Sequence, residues 1–246
     1  MNHIVREGYE GTGPGAITPD GCAVELYRRI SAEGEPEIVA RAVAGRLPGA
    51  RLLELGSGAG RLTRPLTELG FEVTAVDESE EMLDAVREAV PGIRTVRSPI
   101  ESLDLTGEER FDVVLLASFL VHAGTEGVRE GMLDACRRHV ADEGWVIVQR
   151  EADGRHEGLP RERRAAGGEL IRAVSSEPSP DEGRPGSRSL HVEYYFPDAK
   201  WTQTYLSCPL TEKEFEEALA GAGLVVDAYL DEQRSWARAR VAAPGR

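Results

Sequence analysis

The sequence has little cysteine, almost no lysine and no long apolar run. Its three cysteines, Cys22, Cys136 and Cys208, are far apart, odd in number and form no CxxC pair. That pattern suggests neither a disulfide framework nor a metal site, and the expected role is small buried apolar residues. No stretch approaches the ~18 apolar residues of a membrane span, and the N-terminus lacks a basic segment followed by an apolar stretch of signal-peptide length. A cytoplasmic protein with no membrane partner is the expectation. Positive charge is also short: 29 Lys and Arg against 43 Asp and Glu give a formal charge of −14, which opposes the counterion-release attraction of nucleic acid. Arg161, Arg163 and Arg164 cluster, but Glu157, Glu162 and Glu169 dilute them, as in a solvated charged face. Lys200 and Lys213 are the only lysines, and the bias to Arg, Ala, Gly and Glu suggests a GC-rich bacterial genome.

What is present is a chain of 246 residues, long enough for one α/β domain with additions. The piece "GYEGTGPGAITPDG" is too rich in Gly and Pro for regular structure and reads as an ordered arm or lid. Behind an Asp20 cap, Ala23, Leu26, Tyr27 and Ile30 recur at helical spacing, and a second helix opens at Pro36. Then "RLLEL", a glycine turn and a helix ending at Gly70 are followed by the strand "FEVTAV", a helix from Ser79 and the strand "IRTVR". "RFDVVLLAS" is apolar almost throughout, as in a parallel strand covered on both faces, and a helix near 126–140 precedes "GWVIVQR". Residues 152–189 read as a polar flap with a short helix at Leu170, Ile171 and Val174. "LHVEYYF" and "WTQTYLS" predict a hairpin, Thr211 and Glu214 a capping box, and "LVVDAYL" and "SWARARV" two last strands.

The stretch "LLELGSGAGRLT", residues 52–63, decides the ligand class. A P-loop needs a lysine that is missing here, and a dinucleotide turn needs a third glycine where Arg61 stands. The spacing is GxGxG with Glu54 two residues ahead, an acid that suits a positively charged ligand rather than a pyrophosphate. With Asp77 ending the second core strand and "FDVVLLASFLVH" as the fourth, residues 50–150 resemble the class I S-adenosylmethionine-dependent methyltransferases. The whole chain looks like the small bacterial members that methylate metabolites.

The resemblance implies a doubly wound, Rossmann-like α/β sheet of seven mostly parallel strands, one of them antiparallel, with an N-terminal helical cover and a β-hairpin inserted after strand five. It divides one methyltransferase domain into an arm and cover helices (1–48), a cofactor-binding core (49–151), a variable insertion (152–208) and a C-terminal helix with two strands (209–246). S-adenosylmethionine is the implied cofactor. Gly56, Ser57, Gly58 and Gly60 would approach its methionyl end, with Glu54 favouring the ammonium and Ala117 and Ser118 meeting it from strand four. Asp77 would accept from the ribose hydroxyls, Glu78 and Met82 would flank ribose and adenine, and Tyr27 would close over the cofactor. Family members often carry an acid just after strand three; here Ser98-Pro99 stands there, so the adenine contacts expected at Ile100 and Glu101 depart from the pattern.

Methyl transfer needs alignment in a dry pocket, and a base only for an acceptor that arrives protonated and weakly acidic. His122, just after strand four, is the candidate catalytic base, with His156 and His191 as alternatives and a packing role for His122 the rival reading. Among the hairpin aromatics, which also include Tyr195 and Phe196, Tyr194, Trp201 and Tyr205 are candidates to cover an acceptor. The favoured activity is O- or N-methylation of a small molecule by a monomer or homodimer. A methyltransferase of protein or nucleic acid, and a non-methylating protein on the same fold, stay open.

Overall fold

The apolar run at residues 111–116 forms a central strand because helices cover both of its faces. The structure is a computed structural model, and it describes residues 6–105, 107, 109–179 and 186–243. In chain order come a short strand β1 (Glu10–Thr12) and two helices, α1 (Val24–Arg29) and α2 (Glu35–Ala42). The alternating core follows as β2 (Arg51–Leu55), α3 (Thr63–Glu68), β3 (Glu72–Asp77), α4 (Glu80–Ala89), β4 (Arg94–Arg97), β5 (Phe111–Leu116), α5 (Glu126–His139) and β6 (Val140–Gln149). Four strands come next: β7 (Arg161–Arg164), β8 (Leu170–Pro178), β9 (Arg188–Tyr195) and β10 (Lys200–Ser207). The described chain closes with α6 (Glu212–Gly221), β11 (Leu224–Tyr229) and β12 (Trp236–Val241).

Seven of these strands make one sheet in the order β11-β12-β6-β5-β2-β3-β4. All its pairings are parallel except those of β12, which runs antiparallel to both β6 and β11. Side-chain alternation splits the sheet cleanly. Leu53, Leu55, Val114, Leu116, Val146 and Val148 meet Met132, Leu133 and Cys136 of α5 and Phe215 and Leu219 of α6 on one face. Leu52, Val113, Leu115 and Ile147 meet Val39 of α2 and Leu66 of α3 on the other. The chain leaves β2 outward to β4 and returns to β5, so strand order reverses between β2 and β5, where α/β sheets open a ligand crevice.

Beside this sheet lies a second one, antiparallel throughout, in the order β1-β10-β9-β8-β7. It corrects two expectations. Leu170, Ile171 and Val174 lie in β8, not in a helix, and the polar stretch from 161 to 178 is largely strand. Glu10–Thr12 of the glycine-rich arm is also strand, because β10 supplies the partner through Glu10 opposite Thr204. Ala23, Leu26, Val192, Tyr194 and Trp201 pack together and fasten α1 to this sheet.

Capping follows the sequence in three helices: the Ser79 hydroxyl accepts from Met82 N–H at 3.2 Å, Thr125 accepts from Val128 N–H, and Thr211 with Glu214 completes both halves of a capping box. Helix α1 differs. It starts after Ala23 with no side-chain cap, and the Asp20 carboxylate instead takes the Thr18 hydroxyl and the Cys22 thiol. Of the cysteines only Cys136 is fully buried; Cys22 and Cys208 are half-buried and touch polar groups. No helix among the described residues is long and apolar enough to cross a membrane.

Candidate active site

The glycine turn after β2 is tied to the neighbouring strand. Ser57 N–H donates to the Val76 carbonyl at 2.9 Å and Gly58 N–H donates to Asp77 Oδ2 at 2.9 Å. Asp77 Oδ1 accepts from Ser79 N–H at 2.9 Å, so one carboxylate joins the turn to the start of α4. Gly56 has φ 69°, a backbone conformation that favours glycine, and a Cβ there would push on the Leu120 side chain at 2.4 Å. At Gly58 a Cβ would meet nothing nearer than the Tyr27 ring at 3.9 Å, and Gly60 backs onto Val86 of α4.

Acids surround this turn. Burial raises Asp77 above its ordinary value, against the backbone N–H bonds that lower it. Glu78 pairs with Arg6 of the arm and is also raised by burial. Glu54 is 3% exposed, accepts the Thr63 hydroxyl at 2.6 Å, and is pushed up by burial to about 7. Met82 is buried with Val24, Ala59 and Ala85 against Tyr27. Ile100 packs into the core beside Gly56, while Glu101 is exposed with its stem against Gly131 of α5.

Across the crevice, β5 is followed by Ala117, buried, and then by Ser118 and Phe119, both left-handed at φ 55° and 62°. Two consecutive non-glycine residues in that region are costly and persist only where neighbours hold them. Ser118 N–H donates to Gln149 Oε1 at 2.8 Å, and Arg61, paired with Glu35, donates to its hydroxyl at 3.3 Å. The Arg155 guanidinium lies 4.1 Å from the Phe119 ring centre, donates to the Tyr205 hydroxyl at 3.1 Å, and sits 3.1 Å from the Glu151 carboxylate. Over the turn, the Tyr27 hydroxyl donates to Gln203 Oε1 of β10 at 3.0 Å, and Gln203 Nε2 donates to Cys22 Sγ at 3.1 Å. Burial pushes the Tyr27 phenol up, which keeps it a donor.

Several expected residues are engaged in packing and hydrogen bonds. His122 is 1% exposed, and its Nε2 accepts from Glu151 N–H at 2.9 Å while Nδ1 donates to the Cys208 carbonyl at 3.2 Å. Burial lowers it to about 4, and both nitrogens are engaged by backbone groups, an arrangement that favours the packing role over the base. Trp201 is fully buried and donates to the Pro14 carbonyl at 2.9 Å, which makes it part of the packing rather than an acceptor wall. His156, an alternative base, is half-buried and lies 2.8 Å from Glu151 and 2.9 Å from Ser176. His191 bonds Thr204 at 3.0 Å on the face away from Leu190 and Val192. Tyr194 and Tyr205 do face the core, and the Tyr194 hydroxyl makes no hydrogen bond among the described residues. Sequence reading missed Arg61, Thr63, Gln149, Arg155 and Gln203. Only Arg61 and Thr63 carried a signal, by falling within the glycine motif.

Comparison with known proteins matches residues 52–144 to the family model of a methyltransferase domain. A ubiquinone biosynthesis O-methyltransferase of Caulobacter sp. (strain K31) is 38% identical over 110 residues, 42% of each chain. The chain spans about two fifths of the length of the curated relatives it matches. The CcbJ methyltransferase of Streptomyces caelestis superposes with a TM-score of 0.70 at 22% identity, over 89% of this chain and 96% of that one. The sugar N-methyltransferase KedS8 of Streptoalloteichus sp. ATCC 53650 does so with a TM-score of 0.68 at 19% identity, over 94% and 98%. At these identities the solved structures establish the fold.

Proposed function

We propose, from the premise that residues 52–144 belong to the class I S-adenosylmethionine-dependent methyltransferases, that the protein is an enzyme that methylates a small molecule. The observation that carries this is Asp77, held by two backbone N–H groups at the mouth of the glycine turn, in the crevice where strand order reverses. Its free lone pairs suit the two hydroxyls of a ribose. Glu54 supports the same ligand: a buried acid with one hydroxyl partner and a raised pKa is short of a cation, and this ligand carries an ammonium and a sulfonium.

When bound, S-adenosylmethionine supplies a methyl group on sulfur for in-line displacement by the acceptor. The rest is the chain's own work. Asp77 and Glu78 would hold the ribose, Met82 would flank the adenine, and Glu54 would favour the ammonium. Tyr27 roofs the turn, and the strained pair Ser118–Phe119, fixed by Gln149, Arg61 and Arg155, sets the edge where the acceptor approaches. The inner face of the second sheet, with Tyr194 and Tyr205, forms the acceptor wall and excludes water. The core from β2 to β6 would thus bind the cofactor, with α1 and the second sheet as its cover. A small acceptor agrees with the names of similar proteins, one an O-methyltransferase of ubiquinone biosynthesis and one a sugar N-methyltransferase.

Titration calorimetry with S-adenosylhomocysteine tests the cofactor reading. Asp77→Ala is expected to weaken binding by roughly 10- to 100-fold, the loss of hydrogen bonds to a charged group. Equal affinity in wild type and variant overturns the assignment. Labelled methyl transfer into a fractionated lysate tests the acceptor: label in small molecules supports the reading, and label in protein or nucleic acid overturns it.

A further inference from the structure

We propose that the acceptor carries a carboxylate and that Arg155 holds it, which makes Arg155 a specificity-determining residue. This rests on the reading above, in which the acceptor lies between the glycine turn and the second sheet.

Contacts on two sides fix Arg155 between those walls. On one side its guanidinium stacks on the Phe119 ring, 4.1 Å from the ring centre. Phe119 belongs to the left-handed pair after β5: its neighbour Ser118 accepts from Arg61 of the glycine turn, and its other neighbour, Leu120, stands against Gly56 of that turn. On the other side Nη2 donates to the Tyr205 hydroxyl at 3.1 Å. Tyr205 shares its face of β10 with Gln203, which takes the hydroxyl of Tyr27, the ring nearest Gly58. The guanidinium therefore bridges the edge of the crevice and its cover. Its side chain is 31% exposed, open to solvent rather than sealed in the core.

Much of its hydrogen-bonding capacity is unspent. Among the described residues Nη2 is the only side-chain nitrogen of Arg155 with a hydrogen-bond partner. Glu151 Oε1 lies 3.1 Å from Nε, yet neither atom makes a hydrogen bond, and Oε2 is taken by His156 and Ser207. Nε is buried beside Glu151, which leaves the edge formed by Nη1 and Nη2. That edge offers two parallel N–H groups, the arrangement that takes a carboxylate bidentately, and stacking on Phe119 holds its plane in advance. The sign and shape of the partner follow. A guanidinium repels an ammonium, a neutral amide brings one acceptor oxygen, and the second charge of a phosphate monoester is opposed by Glu151 close by. A planar, singly charged group with two acceptor oxygens suits the fork.

The test titrates the full chain, saturated with S-adenosylhomocysteine, with benzoate against benzamide and with cyclohexanecarboxylate against cyclohexanecarboxamide, pairs alike in shape that differ in charge. Wild type is expected to bind at least one acid about tenfold more tightly than its amide, as a charge-assisted pair provides. Arg155→Gln is expected to erase that preference. Arg155→Lys, which keeps the charge and loses the fork, is expected to lower it roughly threefold and serves if Arg155→Gln does not fold. No preference in wild type, or one that survives undiminished in the folded variant, overturns the proposal. Tighter binding of phenyl phosphate than of benzoate overturns the choice of carboxylate. Failure of wild type to bind S-adenosylhomocysteine at all overturns the methyltransferase reading instead, and this inference falls with it.

Discussion

Replacing His122 with leucine strips the buried Glu151 N–H of its acceptor and removes the ring's hydrogen bond to the Cys208 carbonyl. The expected cost is about 1–3 kcal/mol in a urea unfolding curve, the desolvation of the orphaned Glu151 N–H. The same ring dictates an acid sensitivity. Its folded pKa of about 4 lies below the ordinary 6.5, so the unfolded chain takes the proton first, and stability present above pH 6.5 is lost as pH falls toward 4. His122→Leu should flatten that part of the stability profile. Glu54 has the opposite sign. Raised by burial from 4.5 to about 7, its contribution is full below pH 4.5 and lost as pH rises through 7. A cation beside it lowers that pKa, so S-adenosylhomocysteine should release a proton on binding near pH 6 and bind more tightly as pH rises from 4.5 to 7. Calorimetry in two buffers of different ionisation enthalpy measures this, and Glu54→Gln should abolish it. Asp77, Glu54 and the glycines could be read from sequence because a motif fixes their spacing. Gln203 and Arg155 could not, since what defines them is a partner far along the chain.

Helix α6 illustrates how far local chemistry decides an element. Thr211→Ala removes the half of the capping box that serves the Glu214 N–H and should cost about 1 kcal/mol by thermal unfolding. Phe215 and Leu219, fully buried, should keep the helix docked. Where the signal was local in this way, the core strands and helices were readable from the sequence. Strand β8 was not, for a physical reason. A register shift between Ala173 and Ser175 moves its alternation by one residue, and most of its side chains are half-buried on both faces. Leu170, Ile171 and Val174 then mimic helical spacing. Strand β1 is three residues long and exists only because β10 offers an edge, which no local pattern announces. The Asp20 cap failed in a similar way, since Thr18 and Cys22 compete for the carboxylate.

At the scale of the molecule, the two sheets meet along a polar seam. Gln203 takes the Tyr27 hydroxyl, Ser207 donates to Glu151 at 2.9 Å, and Cys208 N–H donates to the His122 carbonyl at 2.7 Å. Tyr27 covers the glycine turn, yet its hydroxyl is bonded to β10 of the second sheet. On the proposed function, admitting or releasing the cofactor would part α1 from β10 and open the enclosure of the acceptor. Steady-state kinetics should then be strictly sequential. S-adenosylhomocysteine should inhibit competitively against S-adenosylmethionine and noncompetitively against the acceptor, and a random order of addition would contradict the arrangement. On that reading one glutamine amide, caught between a phenol and a thiol, couples the two sites, and the methyl donor is expected to load first and the spent donor to leave last.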